Sequence, residues 1–295
     1  MEVEYDTSQL HPDHKAHLLN LLKFFVQICE DQNLQYYCCG GTAIGAVRHG
    51  GMIPWDDDID LLMPRQDYNR FIKIMSCHSY EGYELMSPRA SDNFYLPYLK
   101  LSKSKTSLLE HTSIPCVLGV NIDIFPLDGA TSNFAQCQQD LLKFKKASNK
   151  LMAISKRLTG NLKAMLAEST KIHLRTAFNE LRYIFSKKSA RIKVLNEIDN
   201  ILMKYPFHSA DFVGNYSGMW GIREFGPKKW FDGYEERLFE GFIVRIPMGY
   251  QELLTQMYGD YMNLPPVEKR SSHHSVIYLN LNERKSFDDI INEIN

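Results

Sequence analysis

Residues 37–63 read YCCGGTAIGAVRHGGMIPWDDDIDLLM, and the placing of the glycines and aspartates within that stretch decides the fold. Gly40-Gly41 interrupts an apolar, thiol-rich run, and Asp56, Asp57, Asp58 and Asp60 then fall within five positions, just ahead of Leu61, Leu62 and Met63. Residues 59–63 read as a buried strand. Its two-residue period puts Asp56, Asp58 and Asp60 on one face and turns Asp57 away. Three carboxylates on one face repel one another, and unpaired buried charge is costly, so a hard divalent cation is their natural partner. The glycines upstream would let the backbone approach a phosphate closely. A short helix over 42–48 would aim its first free N–H groups and the Thr42 hydroxyl at that phosphate.

Other readings of the window are weaker. Acidic runs are commonly solvated loops and Gly-Gly is commonly only a turn, but this run is bounded by Ile53, Pro54 and Trp55 and interleaved with Ile59. The DxD motif of nucleotide-sugar glycosyltransferases also holds a metal at a strand end, yet it leaves the diglycine unexplained.

Outward from the window, periodicity predicts a helix over 12–31 with Leu18, Leu22, Phe25 and Cys29 on its core face, and a strand over 34–39. Pro64 suits the opening of a helix burying Tyr68, Phe71, Ile72 and Met75. Strands follow at 83–86, 94–101 and 117–125. In the last, Asp123 lies between Ile122 and Ile124. It is therefore either a metal ligand or the partner of a buried cation, and the carboxylates already in need of a cation favour the ligand. Lys100 is the candidate lysine for a phosphate, with a solvated strand-edge lysine as the plainer alternative. Residues 237–248 read as a hairpin around Glu240-Gly241, and 249–258 as a short helix carrying Tyr250, Leu253, Leu254 and Met257. Arg270, His273 and His274 could touch a phosphate or an acceptor sugar, although adjacent histidines without a second ligand pair are more often surface residues.

Composition sets the limits. The chain has 295 residues, 44% of them hydrophobic, enough for one large domain or two modest ones. The formal net charge of −1 hides a segregation. Residues 143–193 carry ten lysines and four arginines against Glu168 and Glu180. That segment reads as helices with basic outer faces, either a solvated insertion or a surface for anionic lipid head groups or a polyanionic acceptor. Nucleic acid is a poorer partner, since no DNA-binding motif accompanies the charge. The six cysteines have no CxxC spacing and should be reduced. An acidic, polar start and the lack of a long apolar run point to the cytoplasm, with peripheral contact at the inner face of a membrane.

Taken together, GGTAIGAVRHGGMIPWDDDIDLLMPRQDY, the NIDIFPLDG segment and YGDYMNLPP resemble the LicD family of phosphotransferases, whose animal relatives are fukutin and fukutin-related protein. The resemblance implies an α+β fold: a nucleotidyltransferase-like mixed sheet with flanking helices and a mainly helical basic insertion. The implied domains are a core over 1–133, the insertion over 134–206, and a C-terminal part over 207–295 that completes the catalytic domain. Carried over by motif, Asp56, Asp58, Asp60 and Asp123 would bind one or two Mg²⁺ ions, or Mn²⁺ in their place. Gly40, Gly41 and Thr42 would hold a diphosphate, and Arg48 and Lys100 would neutralise it. Asp58, Asp60 and Asp123 would be catalytic, with Asp60 or Asp123 as the base. The implied reaction moves phosphocholine or a polyol phosphate from a CDP-alcohol donor to a hydroxyl of a glycan or lipid-linked glycan acceptor, releasing CMP. Two alternatives are a nucleotidyltransferase that adds a nucleoside monophosphate to a small molecule, and an inactive binding protein of the same fold. A choline group would want an aromatic cage, for which Trp55, Tyr95, Tyr98, Trp220 and Trp230 are available.

Overall fold

The computed structural model describes residues 10–91, 93–156, 173–270 and 276–294. The chain enters through α1, Pro12–Asp31, with proline in the first turn and the His11 ring accepting the Asp13 amide. Leu18, Leu22, Phe25 and Cys29 are fully buried at helical spacing, as the pattern predicts. Asn33, with φ at +49°, takes the left-handed conformation that reverses the chain after the helix.

The central sheet holds β1 (Tyr37–Cys38), β2 (Asp60–Pro64), β6 (Asn121–Ala130), β4 (Leu99–Lys103) and β3 (Tyr83–Met86), in that spatial order, while β5 (Ser107–Leu109) lies off it and pairs with residues 278–280. Two further strands, β7 (Phe212–Gly214) and β8 (Phe225–Pro227), extend it from the far end of β6. Among the described residues only β2 and β6 run parallel in this sheet; its other pairings are antiparallel. The result is a mixed sheet with flanking helices.

β6 begins at Asn121 rather than at 117 and runs five residues past its expected end, because Pro126 does not stop it. The Asp123 amide bonds to the Ile59 carbonyl on the β2 side. By alternation the nitrogen at 126 faces the β4 side, beyond Leu99 where β4 begins, so no ladder bond is lost. Past the proline, Asp128, Gly129 and Ala130 pair with β7.

The two sheet faces divide the core. Leu61, Met63, Leu99, Leu101, Ile122 and Ile124 pack with α1 and with α3 (Arg65–Cys77) through Phe25, Tyr68 and Phe71. On the opposite face Leu62, Phe125 and Leu127 pack with Leu253 and Met257 of α6 (Tyr250–Tyr258). Asp60 and Asp123 share that second face by alternation, so α6 stands beside the carboxylates.

The basic segment contributes to α4 (Phe134–Ser155) and α5 (His173–Leu202), which join through Leu141, Phe144, Ala147 and Leu151 against Val194, Leu195, Ile198 and Leu202. Residues 157–172 of that segment lie outside the described residues. The expectation of basic outer faces needs one correction: Arg191 is buried and donates to the carbonyls of Pro88, Ser91 and Phe94. A guanidinium presents five donors, and here it serves a loop whose carbonyls have no strand partner. Among the described residues, no helix is long and apolar enough to cross a membrane. β9 (Tyr234–Phe239) and β10 (Phe242–Pro247) form the expected hairpin, with positive φ at both Glu240 and Gly241. All six cysteines are free.

Candidate functional site

The diglycine opens α2, Gly40–Ile44, two residues earlier than expected, and one π-helical turn over Gly45–His49 continues it. That wider turn accompanies a close approach. A Cβ on Gly45 would fall 2.4 Å from the Gly51 carbonyl oxygen, and the Gly51 amide returns to the Gly45 carbonyl at 3.3 Å. Arg48 leaves from this turn and donates to the Tyr261 and Asn263 carbonyls at 2.5 and 3.2 Å.

The glycines make room for carboxylates. A Cβ on Gly41 would sit 2.3 Å from Asp56 Oδ2, and one on Gly40, where φ is +54°, would sit 3.1 Å from Asp60 Oδ2. Thr42 is buried, and its Oγ1 accepts the Asp60 amide at 2.9 Å. The hydroxyl expected to face a phosphate thus fixes the start of β2.

The alternation that excluded Asp57 does not operate, because β2 begins only at Asp60 and residues 56–58 precede it. One oxygen from each of Asp56, Asp57 and Asp58 lies within 4.8 Å of the others. Asp60 and Asp123 are register partners across β2 and β6, and Lys100 is the register partner of Asp123 across β4. Lys100 is buried, with its Nζ 2.7 Å from Asp123 Oδ1, 2.9 Å from Asn121 Oδ1 and 3.7 Å from Glu110. It answers the buried charge of Asp123 directly, the alternative weighed above. Burial, then Asp58, Asp123 and Asp56, hold the Asp60 carboxyl well above the usual carboxylate range. Oxygen donors so buried and so close together suit a hard divalent cation.

A cleft of about 780 Å³ stands over this floor. Gly40, Gly41, Asp56, Asp58, Asp60 and Asp123 line it, whereas Thr42 and Lys100 do not. Its wall carries the cations Arg48 and Lys269. Arg270 stacks over the Trp55 ring at 5.2 Å, and burial, then the charge of Arg270, lowers the pKa of Arg48. His273 and His274 lie outside the described residues. Of the five aromatic candidates Trp55, Tyr98 and Trp220 line the cleft. Tyr95 is buried and bonds to Glu110, and Trp230 packs on Gly226 and Gly249.

Besides Lys269, two contributors escaped the sequence reading. Glu224 ends the short helical turn Gly221–Glu224, is buried, faces the cleft, and accepts the Trp220 amide at 3.0 Å. Burial pushes its carboxyl up to about 7 against the pull of its hydrogen bonds. Tyr258, at the end of α6, sets its ring 4.8 Å from that of Trp220. Nothing periodic marks Glu224, whereas Tyr258 opens the YGDYMNLPP motif.

Fold and cleft define the class as a mixed α/β protein with carboxylates gathered near the starts of two parallel strands, under a cleft with cationic walls. Residues 33–133 match the family model described as LicD/FKTN/FKRP, nucleotidyltransferase domain. The chain is 31% identical over 265 residues, 87% of its length, to the lipopolysaccharide cholinephosphotransferase LicD of Haemophilus influenzae, 92% of which is covered. It belongs to the LicD family. A shorter match, 44% identical over 39 residues, covers 13% of the chain and 8% of the ribitol 5-phosphate transferase FKRP of Homo sapiens.

Proposed function

We propose that this chain is a LicD-type phosphotransferase with a nucleotidyltransferase-like core, which moves a phosphorylated alcohol from a CDP conjugate to a hydroxyl of a lipopolysaccharide or related glycan precursor, releasing CMP. One observation carries the reading: a single cleft combines the carboxylate floor with Arg48 and Lys269 on its wall, as a diphosphate held by a divalent cation requires. Asp56, Asp58, Asp60 and Asp123 are the residues proposed to hold Mg²⁺, and Asp57 is close enough to Asp56 and Asp58 to join them. When bound, the metal supplies positive charge to the phosphoryl oxygens and to the leaving CMP.

The chain's own groups do the rest. Lys100 holds Asp123 in place, while Thr42 and the diglycine fix Asp60 and Asp56 beside the cleft. Arg48, itself anchored on two carbonyls, offsets the charge of the donor. A floor carboxylate, Asp60 or Asp123, takes the proton of the acceptor hydroxyl.

CMP release from CDP-choline, CDP-ribitol and CDP-glycerol in Mg²⁺ tests the reading, with product mass showing which group moved. Asp58→Asn and Asp60→Asn should each lower turnover by about a hundredfold or more with the fold retained. Full turnover in both variants, or a product gaining a nucleotide, would sink it. The acceptor is proposed to be lipid-linked and met at an anionic membrane by the exposed lysines of α4, among them Lys143, Lys145 and Lys146. Co-sedimentation with phosphatidylglycerol vesicles should fall as salt rises, and should weaken on changing Lys145 and Lys146 to Glu. Salt-independent sedimentation would count against the membrane contact.

A further inference from the structure

One wall of the cleft has chemistry that neither the phosphates nor the metal accounts for. Glu224 is 9% exposed and faces the cleft; its carboxyl accepts hydrogen bonds from the Trp220 amide and the Asn215 side chain, and the charge of Lys145 reaches it without closing to a salt bridge. Its carboxylate lies against Gly218, where a Cβ would come within 1.8 Å of both oxygens, so glycine is required there. Next to it the Trp220 side chain is 42% exposed, and its ring meets that of Tyr258 at 68°. Two π-faces thus form a corner with a carboxylate beside it.

A buried carboxylate held by hydrogen bonds, with Lys145 too far off to pair with it directly, is still costly, and a half-exposed indole beside it is poor packing unless a ligand covers both. A polyol would need hydrogen-bond partners, and the polar ends of the two rings are engaged with each other. A quaternary ammonium donates no hydrogen bonds. It needs only π-faces and a nearby negative charge.

The position is also right. Tyr258 Oη and Asp60 Oδ2 both lie within 3.5 Å of the point a Cβ on Gly40 would occupy. The aromatic corner therefore abuts the carboxylate floor across one glycine. A group one short linker away from a phosphate on that floor would reach it.

We propose that Glu224, Trp220 and Tyr258 form the subsite for a cationic head on the transferred alcohol, and so select a quaternary ammonium alcohol phosphate over an uncharged polyol phosphate. The proposal rests on the transferase reading, and its test separates the two. Calorimetric titration of the full chain in Mg²⁺ with phosphocholine and with ribitol 5-phosphate reads the subsite without turnover. CMP release from the matching CDP donors reads the reaction. The wild type should bind phosphocholine about tenfold more tightly than ribitol 5-phosphate. Glu224→Gln should weaken phosphocholine about tenfold more than it weakens ribitol 5-phosphate, and in turnover should raise KM for CDP-choline more than it lowers kcat. Trp220→Leu should act in the same direction, with Trp220→Phe recovering part of the loss; the Phe variant keeps the test open if the Leu variant does not fold.

Equal binding of the two phosphates by the wild type overturns the subsite, whatever the turnover shows. Equal kcat losses for both donors in Glu224→Gln also overturn it, and would make Glu224 a participant in the proton transfer. Selective phosphocholine binding without CMP release from any donor leaves the subsite standing and removes the transferase reading.

Discussion

At the scale of single residues, the site depends on how each buried charge is answered. Asp123 is answered by Lys100, and removing either partner would strand the other in the core. Glu224 has hydrogen bonds from Trp220 and Asn215 and the more distant charge of Lys145 but no direct ion pair, and the cost of its burial appears as a carboxyl raised from an ordinary value near 4.5 to about 7. The native state holds this proton more tightly than the unfolded chain does. Stability from this group is therefore full below about pH 4.5, falls as pH rises towards 7, and stays low above that. The difference amounts to roughly 3 kcal/mol. Glu224→Gln keeps the acceptor for the Trp220 amide and removes the titration. In metal-free urea unfolding the variant should match the wild type near pH 4 and exceed it by roughly 3 kcal/mol near pH 8. A difference between the two proteins that does not change with pH would show that Glu224 titrates normally. Burial of this kind cannot be read from the local sequence, because the residues enclosing Glu224 come from separate parts of the chain.

At the scale of elements, legibility follows from whether the signal is local. α1 and α3 have apolar stripes that only a helix can bury on one side, and the Glu240-Gly241 turn has the residue types that a tight hairpin needs. Pro126 gave the wrong end for β6, because a proline's effect depends on which neighbour its nitrogen faces, and that is a property of the sheet. The aspartates misled in a similar way: the alternation argument needed a strand that begins only at Asp60. The diglycine was rightly seen as a device for close approach, but the groups that approach it in the structure are Asp56 and Asp60. Gly41→Ala tests what that closeness is for. The position is helical and its φ is not positive, so alanine should favour the helix by up to about 1 kcal/mol. Its methyl group would nevertheless have to displace the Asp56 carboxylate. Unfolding should change by no more than about 1 kcal/mol while CMP release falls about tenfold or more. Wild-type turnover in this variant would show that Asp56 need not stand beside the diglycine.

At the scale of the molecule, the cleft collects Asp56, Asp58 and Asp60 from one short segment, Asp123 from mid-sheet, Glu224 from a turn, and Arg48 and Lys269 from either end of the chain. The acidic segment could be picked out in the sequence because its members are neighbours, whereas the pairing of Lys100 with Asp123 and the aromatic corner exist only once the sheet and α6 have formed. Gathering these carboxylates has a thermodynamic consequence for the whole fold. Burial, and then repulsion from the neighbouring carboxylates, raises the proton affinity of Asp60 and opposes the native state whenever no cation is present. A ligand that binds only the folded protein stabilises it by about 2.7 kcal/mol at a hundredfold excess over its Kd, so Mg²⁺ should raise the Tm by roughly 5 °C, and EDTA should reverse the rise. Asp58→Asn removes one of the repelling charges and one proposed ligand together. In EDTA this variant should therefore melt at or above the wild-type temperature, and in Mg²⁺ it should gain little. A surface substitution that merely weakens the fold would lower both temperatures and keep the gap between them. If Mg²⁺ raises the Tm of Asp58→Asn as much as that of the wild type, the ion binds elsewhere and the carboxylate floor is not its site.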